Sequence, residues 1–300
     1  MSALKLKAIH CAAISALLCA LAASSPKCYA TDEIFNRLTK QGIRVSDKEA
    51  MTLPKPILVD GMSPADQRRA IETQLAGRYD WDTFTRKAIV APFLLKISEG
   101  TAESGPIGRR IDLYFVAYGD LKSLVGDDYM QKQLSLAAEN DNSGGVGSAK
   151  VLSADELQKR GIDAKGSADR RWVAVTSNLL GKVRLHLTTE NQKAELADSV
   201  LIASLADVRF EGDAEYANSW SSLSVDDAGQ RRIGPPQAFS GLGSYVKATH
   251  LSEPKGAIFI EYHVAFVEPQ GWFHGTNLLR SKLPIVAQDM VRRFRRSLGE

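Results

Sequence analysis

The sequence predicts an α+β protein, with helices first, antiparallel strands next and one long amphipathic helix at the C-terminus. Three observations carry that prediction. Segment 182–188 alternates strictly, with Val183, Leu185 and Leu187 on one face and Lys182, Arg184, His186 and Thr188 on the other, as a half-buried strand does. In segment 256–268, Ile258, Ile260, Tyr262, Val264 and Phe266 share one face; Phe259, Glu261, His263, Ala265 and Val267 share the other. Near the C-terminus, Leu283, Val286, Ala287, Met290, Val291, Phe294 and Leu298 follow the i, i+3, i+4, i+7 rule of an amphipathic helix.

Taken in order, the first thirty residues stand apart. Lys5 and Lys7 precede an Ala- and Leu-rich run from Ala8 to Ala23, and a polar stretch then ends in Cys28-Tyr29-Ala30. Charge, short apolar core and small residue are the order of a secretory signal peptide. Residues 1–30 are therefore expected to be cleaved, after Ala30 or earlier near Ala23 or Ser25, leaving 31–300 as a single exported domain, periplasmic or secreted. The strongly apolar run is shorter than the ~20 residues of a membrane span. All three cysteines (Cys11, Cys19, Cys28) lie in this leader. With cleavage after Ala30 the remaining chain has no disulfide, no thiol nucleophile and no multi-cysteine metal site. Three of the 38 Lys and Arg also lie there, which leaves 35 against 35 Asp and Glu. A balanced chain carries no charge signal for nucleic acid.

Thr31 or Asp32 caps an expected helix over Glu33–Gln41, stopped by Gly42. Met51–Met62, with Pro54 and Pro56, reads as extended loop. Ser63-Pro64 starts a helix to about Ala76, with Ser at the cap and Pro in the first turn. A short helix over Asp82–Ala88 follows. Strands are expected from Pro92 to Ile97 and from Ile111 to Tyr118, joined by a long loop over Ser98–Gly108. Ala137–Ser148, rich in Gly and Asn, reads as a flexible loop; its Gly144–Gly147 cluster lacks the Lys-Ser or Lys-Thr pair of a phosphate loop. Further strands are expected over Arg171–Thr176, Lys182–Thr188 and Val200–Ala206, the last as a strand or a short helix. Tyr245–Thr249 and Gly256–Glu268 form a hairpin across Ser252–Gly256. Pro284 fits the first turn of the final helix, with Ser281 as its cap.

A curved antiparallel sheet gripping a C-terminal helix resembles the START-like lipid-binding superfamily in element order. A second resemblance rests on blocks of residues: Ala91-Pro92-Phe93, Phe115-Val116-Ala117-Tyr118-Gly119-Asp120-Leu121, and the run from Gly271-Trp272-Phe273-His274-Gly275 to Pro284. These resemble an uncharacterised family of exported bacterial proteins with no assigned function, and the likeness implies no catalytic residues.

Motifs for chemistry are sparse. Outside the leader the histidines are His186, His250, His263 and His274, and none falls in a HExxH or spaced Cys/His set. Glu261 and His263 lie two apart on one strand face, either as half of a metal site completed by neighbouring strands or as a polar outer face. There is no G-x-S-x-G elbow. Ser244-Tyr245-Val246-Lys247 matches S-x-x-K, but on a strand rather than a helix. Arg292, Arg293, Arg295 and Arg296 form a basic cluster on the last helix, suited to an anionic surface or simply to the helix dipole.

The densest stretch is Gln270–Pro284, which gathers Trp272, Phe273, His274, Asn277 and Arg280 between the last strand and the last helix. Aromatics beside hydrogen-bonding and cationic groups suit the mouth of a ligand site, and an Arg fork suits a carboxylate or phosphate. The same stretch also reads as a structural corner, with Trp272 and Phe273 plugging the core. The sequence thus points to a non-catalytic protein that binds a lipid or other amphiphile between sheet and C-terminal helix, without a cofactor or metal. Two alternatives stand beside it: an envelope structural protein that binds a protein partner, and a hydrolase whose residues meet only in three dimensions.

Overall fold

A computed structural model describes residues 33–47, 49–100, 106–124, 148–163, 169–227, 229–270, 272 and 278–299. The expected leader and most of the Gly- and Asn-rich loop at 137–148 lie outside them. The fold is α+β, with a large antiparallel sheet, not closed on itself, and a C-terminal helix.

Helix α1 (Glu33–Lys40) leads through the two-residue strands β1 (Ile43–Arg44) and β2 (Ala50–Met51) to α2 (Pro64–Leu75) and α3 (Trp81–Thr85). The Ser63 cap is the one the sequence reading expects, its hydroxyl accepting from Asp66 N–H; α3 starts one residue before and ends three before the expected Asp82–Ala88, with the Asp80 carboxylate accepting from Thr83 N–H. The sheet strands are β3 (Phe93–Glu99), β4 (Ile107–Tyr118), β5 (Ser148–Val151), β6 (Arg170–Leu179), β7 (Val183–Glu195), β8 (Ser199–Ala206), β9 (Ser219–Val225), β10 (Arg231–Ile233), β11 (Gln237–Ala238), β12 (Leu242–His250) and β13 (Ala257–Glu268); a one-turn helix α4 (Ala154–Gln158) follows β5. The main path runs β3-β4-β13-β12-β8-β7, and β7 also pairs with β6 and, over Val183–His186, with β9. The β3–β4 hairpin begins its turn later than the sequence reading had it: pairing reaches Glu99 and Arg109.

Both faces of the central strands are covered. On one face lies the last helix, α5 (Leu278–Ser297), packed over Leu113, Phe115, Ile258 and Ile260 near its end and over Phe266 and Trp272 near its start. It begins earlier than the sequence reading allowed. Leu279 and Leu283 bury one turn apart against the Trp272 cluster, and that burial carries the helix back past Pro284. Ser281 and the exposed Pro284 are therefore interior to the helix.

On the opposite face lies the N-terminal segment. Ile34, Phe35 and Leu38 of α1 pack on Leu201, Ala203, Tyr245 and Ala265, while α2 and α3 pack on Tyr114, Val116 and Phe259. Leu38 comes so near the sheet that a β-carbon on Gly243 would sit 2.3 Å from it. This cover corrects the reading of Glu261 and His263 as a polar outer face: both are buried, at 0% and 1% exposed.

The basic cluster is corrected too. Arg295 is 1% exposed and lies beneath the helix rather than on it. Its Nε donates to Val116 O (2.9 Å), one terminal nitrogen to Ile89 O (3.2 Å) and Ala91 O (2.5 Å), and the other to Pro92 O (3.1 Å). The guanidinium also lies 5.7 Å from the centre of the Phe115 ring. One planar fork thus satisfies the carbonyls of the segment entering β3 and fastens the end of α5 to it.

Replacing Arg295 with Met should cost about 3 kcal/mol or more, because buried carbonyls lose charge-assisted partners. The neighbouring exposed Arg296→Met should stay within about 0.5 kcal/mol. Urea unfolding of both variants against the parent chain measures the difference.

Candidate functional site

The helix-facing side chains of the sheet do not fill the space under α5. Two apolar cavities lie there. One, of about 240 Å³, is walled by Phe115, Val200, Ile202, Val246, Ile260 and Phe294, among others. The second, of about 210 Å³, is walled by Leu113, Leu185, Phe266, Trp272, Leu283 and Ala287, among others. Tyr262 of β13 and Met290 of α5 line both, so the cavities adjoin across that pair. An apolar void of ~150 Å³ already accepts a benzene-sized guest.

Tyr262 is the polar exception. Its ring is set among apolar walls, and burial raises the phenol's pKa. The side chain is part-buried, and no hydrogen bond joins its hydroxyl to another of the described residues, whereas enclosed tyrosine hydroxyls usually find a partner.

A third space opens beside α5 at the sheet edge. This groove, about 650 Å³, has an apolar floor of Ile89, Pro92, Phe93 and Ile97 and carries Arg78, Arg280 and Arg292. Leu95 of the edge strand β3 lines both this groove and the cavity beneath the start of α5. Arg280 is exposed and pairs with Glu99 at 3.0 Å. Arg78 and Arg292 have no carboxylate within ion-pair distance among the described residues.

The residues singled out in the sequence are thus divided. Trp272, 2% exposed, lies in an aromatic cluster with Trp220, Phe239 and Phe266 and forms part of a cavity wall. Arg280 lies in the outer groove. Phe273, His274 and Asn277 fall outside the described residues. Tyr262 and Met290 were read only as members of apolar faces and Leu95 only as part of an expected strand; no pattern in the sequence singles them out.

On the opposite face, titratable groups converge for a different purpose. The extended segment 52–61 crosses β12 and β13, and its two prolines keep it from pairing as a strand. Its backbone is satisfied by side chains: Tyr245 Oη donates to Pro54 O (2.7 Å), Lys247 Nζ to Leu58 O (2.6 Å), and Glu261 accepts from Ile57 N (2.9 Å) and Leu58 N (3.4 Å). Asp60 accepts from Asp198 N and the Ser199 hydroxyl and lies 3.3 Å from Lys247 Nζ. Burial pushes the Glu261 carboxyl up to about 7, against the two backbone donors and Lys247. Burial likewise lowers the Lys247 ammonium. Next along β13, His263 Nδ1 is 2.8 Å from Asp112 Oδ1, and its ring packs against Tyr114 and Tyr245. Its Nε2 is buried without a hydrogen bond among the described residues, and burial lowers its pKa. Tyr245, Lys247 and Glu261 thus lie beneath segment 52–61, a strap across the sheet, and hold it down. Among the described residues, no cluster of three or more His, Cys, Asp or Glu is arranged to hold a metal. Ser244 and Lys247 point to opposite faces of β12, so they form no S-x-x-K pair.

The chain matches no known protein-family profile and no curated protein sequence. Among the described residues, no helix is long and apolar enough to cross a membrane.

Because the Glu261 carboxyl is raised above its unfolded value, protonation favours the fold. That contribution is fully present below about pH 4.5 and is lost as pH rises through about 7. The loss is of the order of 3 kcal/mol. Glu261→Gln removes the ionisation, so its stability should change less between pH 4.5 and 7.5 than that of the parent chain. Urea unfolding at several pH values measures it, and equal slopes would rule out Glu261 as the source.

Proposed function

We propose that this protein is an exported, non-catalytic carrier or sensor of an amphiphile bound between its sheet and its C-terminal helix. The single observation that carries the reading is the pair of adjoining apolar cavities under α5, with the unpartnered Tyr262 hydroxyl between them. Together the two spaces, about 240 and 210 Å³, fall in the lower part of the range of small-ligand sites, roughly 300–1,000 Å³. A ligand bearing a chain or ring system replaces empty space with van der Waals contact, and a carbonyl, hydroxyl or carboxyl group on it satisfies Tyr262.

The edge groove supplies the way in and the place for a charged head. Arg78, Arg280 and Arg292 surround an apolar floor that shares Leu95 with the inner cavity, an arrangement suited to an anionic head group outside and a chain within. The leader-like first thirty residues support export.

Two variants separate filling of the cavity from loss of fold. Ala287→Phe fills the inner cavity, whereas Tyr262→Phe keeps the shape and removes the hydroxyl. A fluorescent fatty acid should bind the parent chain saturably, lose at least tenfold in affinity to Ala287→Phe, and lose about fivefold to Tyr262→Phe, the worth of one neutral hydrogen bond. Saturable binding that both folded variants retain in full would sink the proposal, as would an absence of binding to the parent chain.

A further inference from the structure

On the far end of the sheet, away from α5, the described residues leave the face that carries the strap elsewhere open and polar. The register aligns two transverse rows of side chains there. Thr176 of β6, His186 of β7 and Ser219 of β9 form one row; Asn178, Arg184 and Ser221 form the next. Opposed residues in an antiparallel sheet point to the same side, with β-carbons ~5 Å apart. The six side chains therefore make a compact grid. Behind it, the alternate residues Val183, Leu185 and Trp220 belong to the core, which fixes the grid's orientation.

Two walls turn the grid into a groove of about 700 Å³. One wall is the loop at 214–217. It is tied to the sheet because Asn218 accepts from Thr188 N (2.6 Å) and donates to Asp207 O (2.7 Å), and because Thr188 Oγ1 donates to Tyr216 O (2.9 Å). The other wall is Ile233, Gly234 and Pro236. Nothing in this framework depends on the cavities under α5.

The floor is chemically incomplete. Ser219 and Ser221 are 9% and 4% exposed, yet neither hydroxyl has a partner among the described residues, and both line the groove. Arg184 donates its Nε to Asn178 Oδ1 (3.2 Å) and has no carboxylate within ion-pair distance among the described residues. The other charges that face the groove are already paired: Lys150 with Glu156 at 2.6 Å, and Glu215 with Arg160 at 3.4 Å. His186 Nδ1 is 3.1 Å from Thr176 Oγ1, which leaves Nε2 to face the groove. Burial, with Arg184 beside it, lowers the His186 pKa and keeps the ring neutral. One uncompensated guanidinium fork, a neutral imidazole and two sheltered hydroxyls thus face a space far larger than a simple anion.

We infer that this groove binds an anionic sugar, its carboxylate or phosphate held by Arg184 with Ser221 and its hydroxyls by Ser219, His186 and Thr176. The fork matches either oxyanion with two parallel hydrogen bonds, whereas a neutral sugar leaves Arg184 unpaired. The polar grid supplies both donors and acceptors, as a polyol requires.

Isothermal titration of the protein with glucuronate, glucose 6-phosphate, glucose and inorganic phosphate tests the inference. At least one of the charged sugars should bind with a dissociation constant of about 1 mM or tighter, and glucose at least tenfold more weakly. Whichever charged sugar binds more tightly identifies the oxyanion. Arg184→Gln should lose tenfold or more, and Ser221→Ala several-fold, with unfolding midpoints close to the parent's. Failure of both charged sugars to bind below about 10 mM would overturn the inference. So would unchanged binding by folded Arg184→Gln, and inorganic phosphate binding as tightly as the sugars would remove the sugar from it.

Discussion

Strand β13 is hydrogen-bonded along its length to β4 on one side and over nine residues to β12 on the other. A strand paired on both edges offers no backbone to solvent, so only its two rows of side chains remain to be covered, and here both rows are covered, Tyr262 and Val264 only in part. One row, Ile258, Ile260, Tyr262, Val264 and Phe266, needs α5. The other, Phe259, Glu261, His263 and Ala265, needs the N-terminal helices and the strap. The layering of the molecule follows from this requirement: a helix on one side, a covering segment on the other, and the site wherever the cover is incomplete.

The two covers are held by different forces. The strap is extended backbone lying on a buried face, and each of its polar groups there demands a partner. Tyr245, Lys247 and Glu261 meet that demand directionally, and the strap's own Asp60 accepts from Asp198 N and Ser199, so the strap can sit in one register only. The helix satisfies its own backbone and is held mainly by apolar contact, which is non-directional and tolerates gaps. Its directional ties among the described residues include the exposed Arg280–Glu99 pair near its start and the buried Arg295 near its end, bound to four carbonyls around the entry to β3. A helix with a buried anchor at one end, an exposed ion pair at the other and apolar contact between them is the side on which internal space survives.

Much of the architecture was legible. Alternation in β7 and β13, the 3.6-residue period of α5 and the Ser63-Pro64 cap are local patterns, and local patterns are written in neighbouring residues. The start of α5 was misread because Pro284 and Ser281 carry strong local signals for a helix beginning, while the burial of Leu279 against Trp272 is a long-range contact. The candidate site was only partly legible. Trp272 and Arg280 drew attention by their composition, and they do line an inner cavity and an outer groove. Tyr262 did not, because nothing in the sequence tells a tyrosine packed against a helix from one left facing space.

The sequence alone determined which face of each strand is apolar, that a long amphipathic helix ends the chain, and that any chemistry outside the first thirty residues proceeds without cysteine. The tertiary structure alone decided that Glu261, His263, Lys247 and Arg295 are interior, that Arg184, His186, Ser219 and Ser221 share one groove, and that α5 leaves cavities beneath it. The physical reason is one of range. Periodicity reports what a residue does relative to its neighbours in the chain. Burial, pairing of charges and the space left between layers depend on residues a hundred or more positions away, as Lys247 with Leu58 and Arg295 with Val116 show.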